Sequence, residues 1–155
     1  MSVRELGSKV VSRLNVLLKP HGFRRQGATF FRDAASYSER FAISGSRWNS
    51  GQPPWEFSVE VGVFFSETPP RENAKGLWRH SHAVGSTSSI LYDSPASFYV
   101  SASNIEAVSH QVAELILAVS SALPPLVAPA RERAAKGLIS FLPVPDSWLQ
   151  NGVES

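Results

Sequence analysis

Over residues 55–65 apolar side chains occupy every odd position (Trp55, Phe57, Val59, Val61, Val63, Phe65), while Glu56, Ser58, Glu60 and Gly62 take even ones. Residues two apart share one face of a strand, so this alternation predicts a half-buried antiparallel strand, central in its sheet. Its even face is expected to be wet or covered by something polar. A different period precedes it. Val3, Leu6, Val10, Leu14, Leu17 and Leu18 recur at helical spacing behind Ser2-Val-Arg-Glu5, a capping box, and Pro20 stops the run. Ile105, Val108, Val112, Leu115, Ile116 and Val119 repeat that spacing behind a second capping box, Ser103-Asn-Ile-Glu106. This helix is expected to run to about Leu123, where Pro124-Pro125 ends it.

Between the helices the pattern predicts short strands at 28–33 and 40–48, a loop at 49–54 and an exposed loop at 67–76. Residues 77–84 read as a further strand, and 88–92 and 96–102 as short β-prone pieces. Pro129 is expected to open a last short helix over 130–136, with Gly137 as its C-cap. The order α-β-β-β-(β)-β-α-α predicts an α+β fold: an antiparallel sheet of about four to five strands, with the N- and C-terminal helices packed on one face. A single domain over 1–150 and a frayed tail at 151–155 complete the expectation.

Composition narrows the chemistry. The absence of cysteine among 155 residues removes disulfides, thiolate nucleophiles and cysteine-ligated zinc together. Residues 1–33 hold seven Lys/Arg against two Asp/Glu, a net of +5, and the remainder eight against eleven, a net of −3. Such a basic end attracts nucleic acid or other anions, or lies against the acidic remainder and is neutralised by it. Met1 to Gly7 shows no signal-peptide pattern, and the apolar runs are far shorter than a bilayer span, so a cytoplasmic protein without membrane association is expected.

Residues 17–33 carry the densest chemistry. Leu17-Leu-Lys-Pro-His-Gly-Phe-Arg-Arg-Gln-Gly-Ala-Thr-Phe-Phe-Arg-Asp33 turns from helix to strand through Pro20 and Gly22, with Arg24, Arg25 and Arg32 beside Phe23, Phe30 and Phe31. The stretch resembles the opening motif of an uncharacterised bacterial family, domain of unknown function number 4304. In that family a helix ends in Leu-x-Pro-x-Gly-Phe-(basic)-(basic)-x-Gly-x-x-Phe-x-Arg. The strand segment 57–63, ending in a Gly-Val pair, is similar to the family as well. The family's later Arg-hydrophobic-Gly step and aromatic segment look like Ala83-Val84-Gly85 and Ser97-Phe98-Tyr99, without the arginine and without a tryptophan. The resemblance implies an α+β fold and no activity.

Candidate sites follow from residue type. Arg24 and Arg25 with Phe23, and Arg32 nearby, can hold an anion or a phosphate backbone, because guanidinium offers a bidentate fork and stacks on aromatics. A solvated turn with a core phenylalanine is the plainer alternative. Trp48 and Trp55 bracket the 49–54 loop and Trp78 follows the other polar loop, as a binding rim or as caps on the core. His80-Ser-His82 would put two imidazoles on one side of a strand, half of a metal site. Glu56 and Glu60 lie about 13 Å apart along a strand, too far to act as a carboxylate pair. They are expected to pair across strands with Arg32 or Arg40. Neither a Gly-x-Ser-x-Gly elbow, a P-loop nor a Gly-x-Gly-x-x-Gly fingerprint occurs, so no catalytic residue, cofactor or metal is expected. The leading expectation is a non-enzymatic domain that binds a protein partner, accessory or immunity-type. A weak nucleic-acid or anion binder through Arg24 and Arg25 comes second, and a metal-dependent hydrolase using His80 and His82 third.

Overall fold

Helix α1 (Val3–Leu18) begins where its capping box places it, with Ser2 Oγ accepting the Glu5 amide at 3.2 Å. Leu6, Val10, Leu14 and Leu18 are fully buried, one stripe at helical spacing. A 3₁₀ turn, Lys19–His21, follows, and Gly22 at φ 87° reverses the chain. The computed structural model describes residues 1–149, so the frayed tail expected at 151–155 lies outside the described residues.

The strands are β1 (Arg24–Gln26), β2 (Thr29–Asp33), β3 (Ser38–Gly45), β4 (Trp55–Phe64), β5 (Ala83–Ser86), β6 (Phe98–Val100) and β7 (Ser140–Phe141). They hydrogen-bond in the order β1-β2-β3-β4-β5-β7, and β6 joins the far end of β4. Residues 60–63 of β4 pair with β5 and residues 55–57 with β6, so β4 is flanked on both sides and central as its alternation predicts. The fold is α+β, but the sheet is mixed and seven-stranded, because β5 and β7 run parallel. The strands missing from the expectation, β1 and β7, are three and two residues long, too short to show a period of two.

The other helices are α2 (Thr87–Ile90), α3 (Ile105–Ala122) and α4 (Pro124–Ala135). Three expectations are corrected. Residues 88–90 belong to α2 instead of a strand, with Leu91 and Tyr92 in the turn that follows, and Ser86 Oγ accepts the Ser89 amide. The second capping box does not form. Asn104 is the N-cap of α3, and its Oδ1 accepts the Ser101 amide at 2.8 Å instead of capping the helix. Pro124 and Pro125, expected as terminators, also start α4, where a missing N–H is no loss, and α4 continues through Pro129.

Helices α1 and α3 cover one face of the sheet. Phe30, Phe41, Phe57, Val59, Val61 and Val63 point into that layer. They share it with the leucine-rich stripe of α1 and with Val112, Ile116 and Val119 of α3. Among the described residues one ionised group lies inside it. Glu39, only 2% exposed, stands opposite Arg32 in the β2–β3 register. Its Oε1 accepts from Arg32 Nε (3.1 Å) and Nη2 (2.9 Å) and from the Ser120 hydroxyl of α3 (2.6 Å). Arg32 Nη2 also donates to Ser120 Oγ (2.6 Å) and Nη1 to the His21 carbonyl (2.7 Å), while its Cζ stands 4.4 Å from the Phe23 ring centre. This corrects the expected pairing of Arg32 with Glu56 or Glu60. Those glutamates face the other side of the sheet, in register with Tyr99 and Ala42 respectively.

Replacing Val59, 1% exposed, with Asp should cost several kcal/mol, comparable with the whole margin of a small domain. Urea unfolding of that variant, beside amide exchange in the wild type, checks it. The Val59 and Val61 amides are expected among the slowest, and a wild-type-like midpoint for the variant would contradict the packing.

Candidate binding groove

Strand geometry separates the arginines that sequence places together. In β1, Arg24 pairs with Phe31 and Arg25 with Phe30, so the two guanidinia leave opposite faces of the sheet. Arg24 lies on the face away from the helices, 4.7 Å from the Phe31 ring centre and 3.2 Å from Asp33. Arg25 lies on the helix side. Arg32 is held inside by Glu39, Ser120 and the His21 carbonyl. Gly22, at φ 87°, makes the turn after the His21 carbonyl that Arg32 Nη1 reaches.

On the helix side Arg25 joins Arg4, Val11, Ile43 and Trp55 around an open groove of about 910 Å³ between α1 and the β1–β2 hairpin. No carboxylate lines it among the described residues. Arg4 and Arg25 form no ion pair, side-chain hydrogen bond or ring contact among the described residues. The floor is the Trp55 indole, stacked on Phe57 at 4.8 Å, which stacks in turn on Phe98 at 5.4 Å. Gly45 makes room for the indole on one side, and Gly7 of α1 lies in ordinary contact with it on the other. A Cβ at Gly45 would lie 3.1 Å from Trp55 Nε1, and one at Gly7 of α1 3.4 Å from its Cη2. Hairpin residues Gly27, at φ 61°, and Ala28 form the opposite wall.

Sequence reasoning missed Arg4 as a groove residue, and offered Trp55 only as one of the loop-edge tryptophans, as rim or core cap. Arg4 reads as part of the polar face of α1, and Trp55 both as a member of the core alternation and as a loop-edge tryptophan. The available signal was Gly7, a gap in the helix surface between Val3 and Val11, together with a strand that opens with a tryptophan.

The remaining candidates lie apart. Trp48 is 78% exposed with Arg47 over its ring at 4.8 Å. Trp78 meets Phe141 edge-on at 5.7 Å and Arg71 at 5.3 Å. Residues 77–84 do not form the expected strand. His80 ends a 3₁₀ turn, Gly76–His80, and only Ala83–Ser86 pairs with the sheet. His82 is 4% exposed and stacks on both Phe64 and Phe65. Its Nδ1 accepts the Phe65 amide at 3.0 Å, so Nε2 carries the proton and donates to the Pro69 carbonyl at 3.0 Å. Both ring nitrogens are thereby engaged in fastening the loop at 65–82. Among the described residues no group of three or more histidines and carboxylates is close enough to hold a metal ion.

Desolvation, and then the charges of Arg40 and Arg79, hold the His80 imidazolium below its ordinary pKa. The unfolded chain therefore binds this proton more readily, and stability falls as pH drops through the window just below about 6.5. Between pH of about 7 and about 5.5, His80→Gln should lose less thermal stability than the wild type. Thermal unfolding at both pH values checks this, and an identical loss in the two proteins would contradict it.

Comparison with family models, with curated proteins and with solved structures gives no match for this chain. No single helix among the described residues is long and apolar enough to cross a membrane.

Proposed function

We propose that the protein is a non-enzymatic binding domain whose groove between α1 and β1 takes an acidic, partly apolar segment of a protein partner. The observation that carries this reading is the pair of guanidinia, Arg4 and Arg25, left without partners above an apolar floor and without a lining carboxylate among the described residues. Shape supports it. The groove follows α1 from Arg4 past Ser8 to Ser12. That distance is about 12 Å by helical rise, the reach of about four extended residues. β1, which supplies Arg25, is an edge strand, and an extended segment laid beside an edge gains main-chain hydrogen bonds. An accessory or immunity-type protein in the cytoplasm, related to domain of unknown function 4304, is the form this proposal takes. Binding of nucleic acid through one arginine patch has less support, because Arg24 faces away and pairs with Asp33, and Arg32 is engaged inside.

Fluorescence anisotropy tests the groove with a labelled peptide of interleaved Glu and Leu, a Gln-for-Glu control, and single- and double-stranded oligonucleotides. Saturable binding of the acidic peptide is expected, weakened roughly tenfold by Arg4→Gln with Arg25→Gln and unchanged by Arg24→Gln. Oligonucleotide binding at physiological salt that needs both Arg24 and Arg25 would replace this reading with the nucleic-acid one. Equal affinity for the Glu and Gln peptides would remove the electrostatic basis of the groove.

A further inference from the structure

On the face of the sheet turned away from the helices, Arg40 presents a physical problem that the fold does not solve. Its guanidinium is partly buried, its Nε has no solvent exposure, and none of its donors has an acceptor among the described residues. The Phe64 ring lies 5.4 Å away. The carboxylate felt most strongly, Asp33, is itself tied to Arg24 at 3.2 Å. Arg32, on the neighbouring strand, uses all three nitrogens. A guanidinium carries five N–H donors, and leaving them unmet in a partly dry place is costly.

Beside Arg40 lies a cavity of about 170 Å³, more enclosed than the α1 groove, bordered by Gln26, Thr29, Phe31, Leu77 and His80 as well as Gly76. Every polar side chain on that border can donate a hydrogen bond, and none is a carboxylate. Ser81 adds a second orphan. Its Oγ is buried without a partner and lies over Gly62, the residue paired with Arg40, where a Cβ would come within 2.2 Å. The cavity on the other side of Arg40 is bordered by Asp33 and Glu67, which repel an anion. We infer that Arg40, His80, Thr29 and Gln26 form a second site that takes a phosphate-sized oxyanion. Arg40 supplies the charge and a forked donor, Thr29 and Gln26 supply neutral donors, and Phe31 and Leu77 close the apolar sides. The site is independent of the α1 groove, on the opposite face, and neither reading depends on the other.

The test is an NMR titration of the folded chain with inorganic phosphate, with glycerol phosphate as a separate arm and sodium chloride as the ionic-strength control. Saturable shifts are expected at the Thr29, Gln26 and Gly76 amides and at the His80 ring. The His80 pKa should rise as the anion offsets the Arg40 and Arg79 charges, while the His110 ring should stay unchanged. Arg40→Gln should weaken binding about tenfold or more, as expected for loss of a charge-assisted hydrogen bond. Thr29→Val should weaken it by a smaller factor, and this variant carries the test if Arg40→Gln does not fold. Arg25→Gln should leave it unchanged. Tighter binding of glycerol phosphate than of phosphate identifies a phosphomonoester as the source of the group, and the reverse identifies the free ion. Shifts that chloride reproduces, or that survive in Thr29→Val and Arg40→Gln alike, would overturn the site and leave Arg40 hydrated by water alone.

Discussion

A carboxylate inside the sheet–helix layer has to be met by charge, and Glu39 is met by Arg32. That demand organises the corner between α1 and the sheet. Arg32 reaches Glu39 across the β2–β3 register, Ser120 on α3 and the His21 carbonyl just after α1, so one guanidinium ties a strand, a helix and a turn. With Arg32 directed inward, the alternation of β2 and its pairing with β1 fix the rest. Arg25 must share the helix side, and Arg24 must leave on the other. A basic run that looks like one patch in sequence becomes three environments.

Three arginines in this region show three fates of a guanidinium. Arg32 is saturated and holds the fold. Arg25, with Arg4, stands over an apolar groove without a partner among the described residues. Arg40 is half enclosed with unmet donors beside a small cavity. The first is structural on geometry alone, and the other two underlie separate binding proposals on opposite faces of one sheet.

Long, strongly periodic elements were legible in the sequence. The eleven-residue alternation located β4, and the apolar stripes located α1 and α3, because burial of one face forces those periods. Short elements were not. β1 and β7 hold too few residues for a period, and the 3₁₀ turn at Gly76–His80 is set by its cover over Gly62, a tertiary contact. The second capping box failed because Asn104 competed with Ser103 for the helix start, a contest between neighbouring residues that composition does not decide. The candidate site was legible only in its parts. Sequence named Arg25 and set Trp55 at a loop edge, but Arg4 and Arg40 acquire meaning only when the packing of α1 and side-chain direction across the strands are known.

Coupling between Arg32 and Glu39 is the most direct measure of this account. A double-mutant cycle with Arg32→Met, Glu39→Leu and the combined variant, followed by urea unfolding, isolates it. Arg32→Met alone should cost about 3 kcal/mol, toward the low end for a broken buried pair because the arginine side chain is 32% exposed, and it should leave Glu39 buried without a counter-charge. The combined variant should recover much of that loss, giving a coupling of about 2 kcal/mol. A coupling below about 0.5 kcal/mol, with the Arg25 and Arg24 environments unchanged by NMR in Arg32→Met, would contradict the claim that this pair sets the corner.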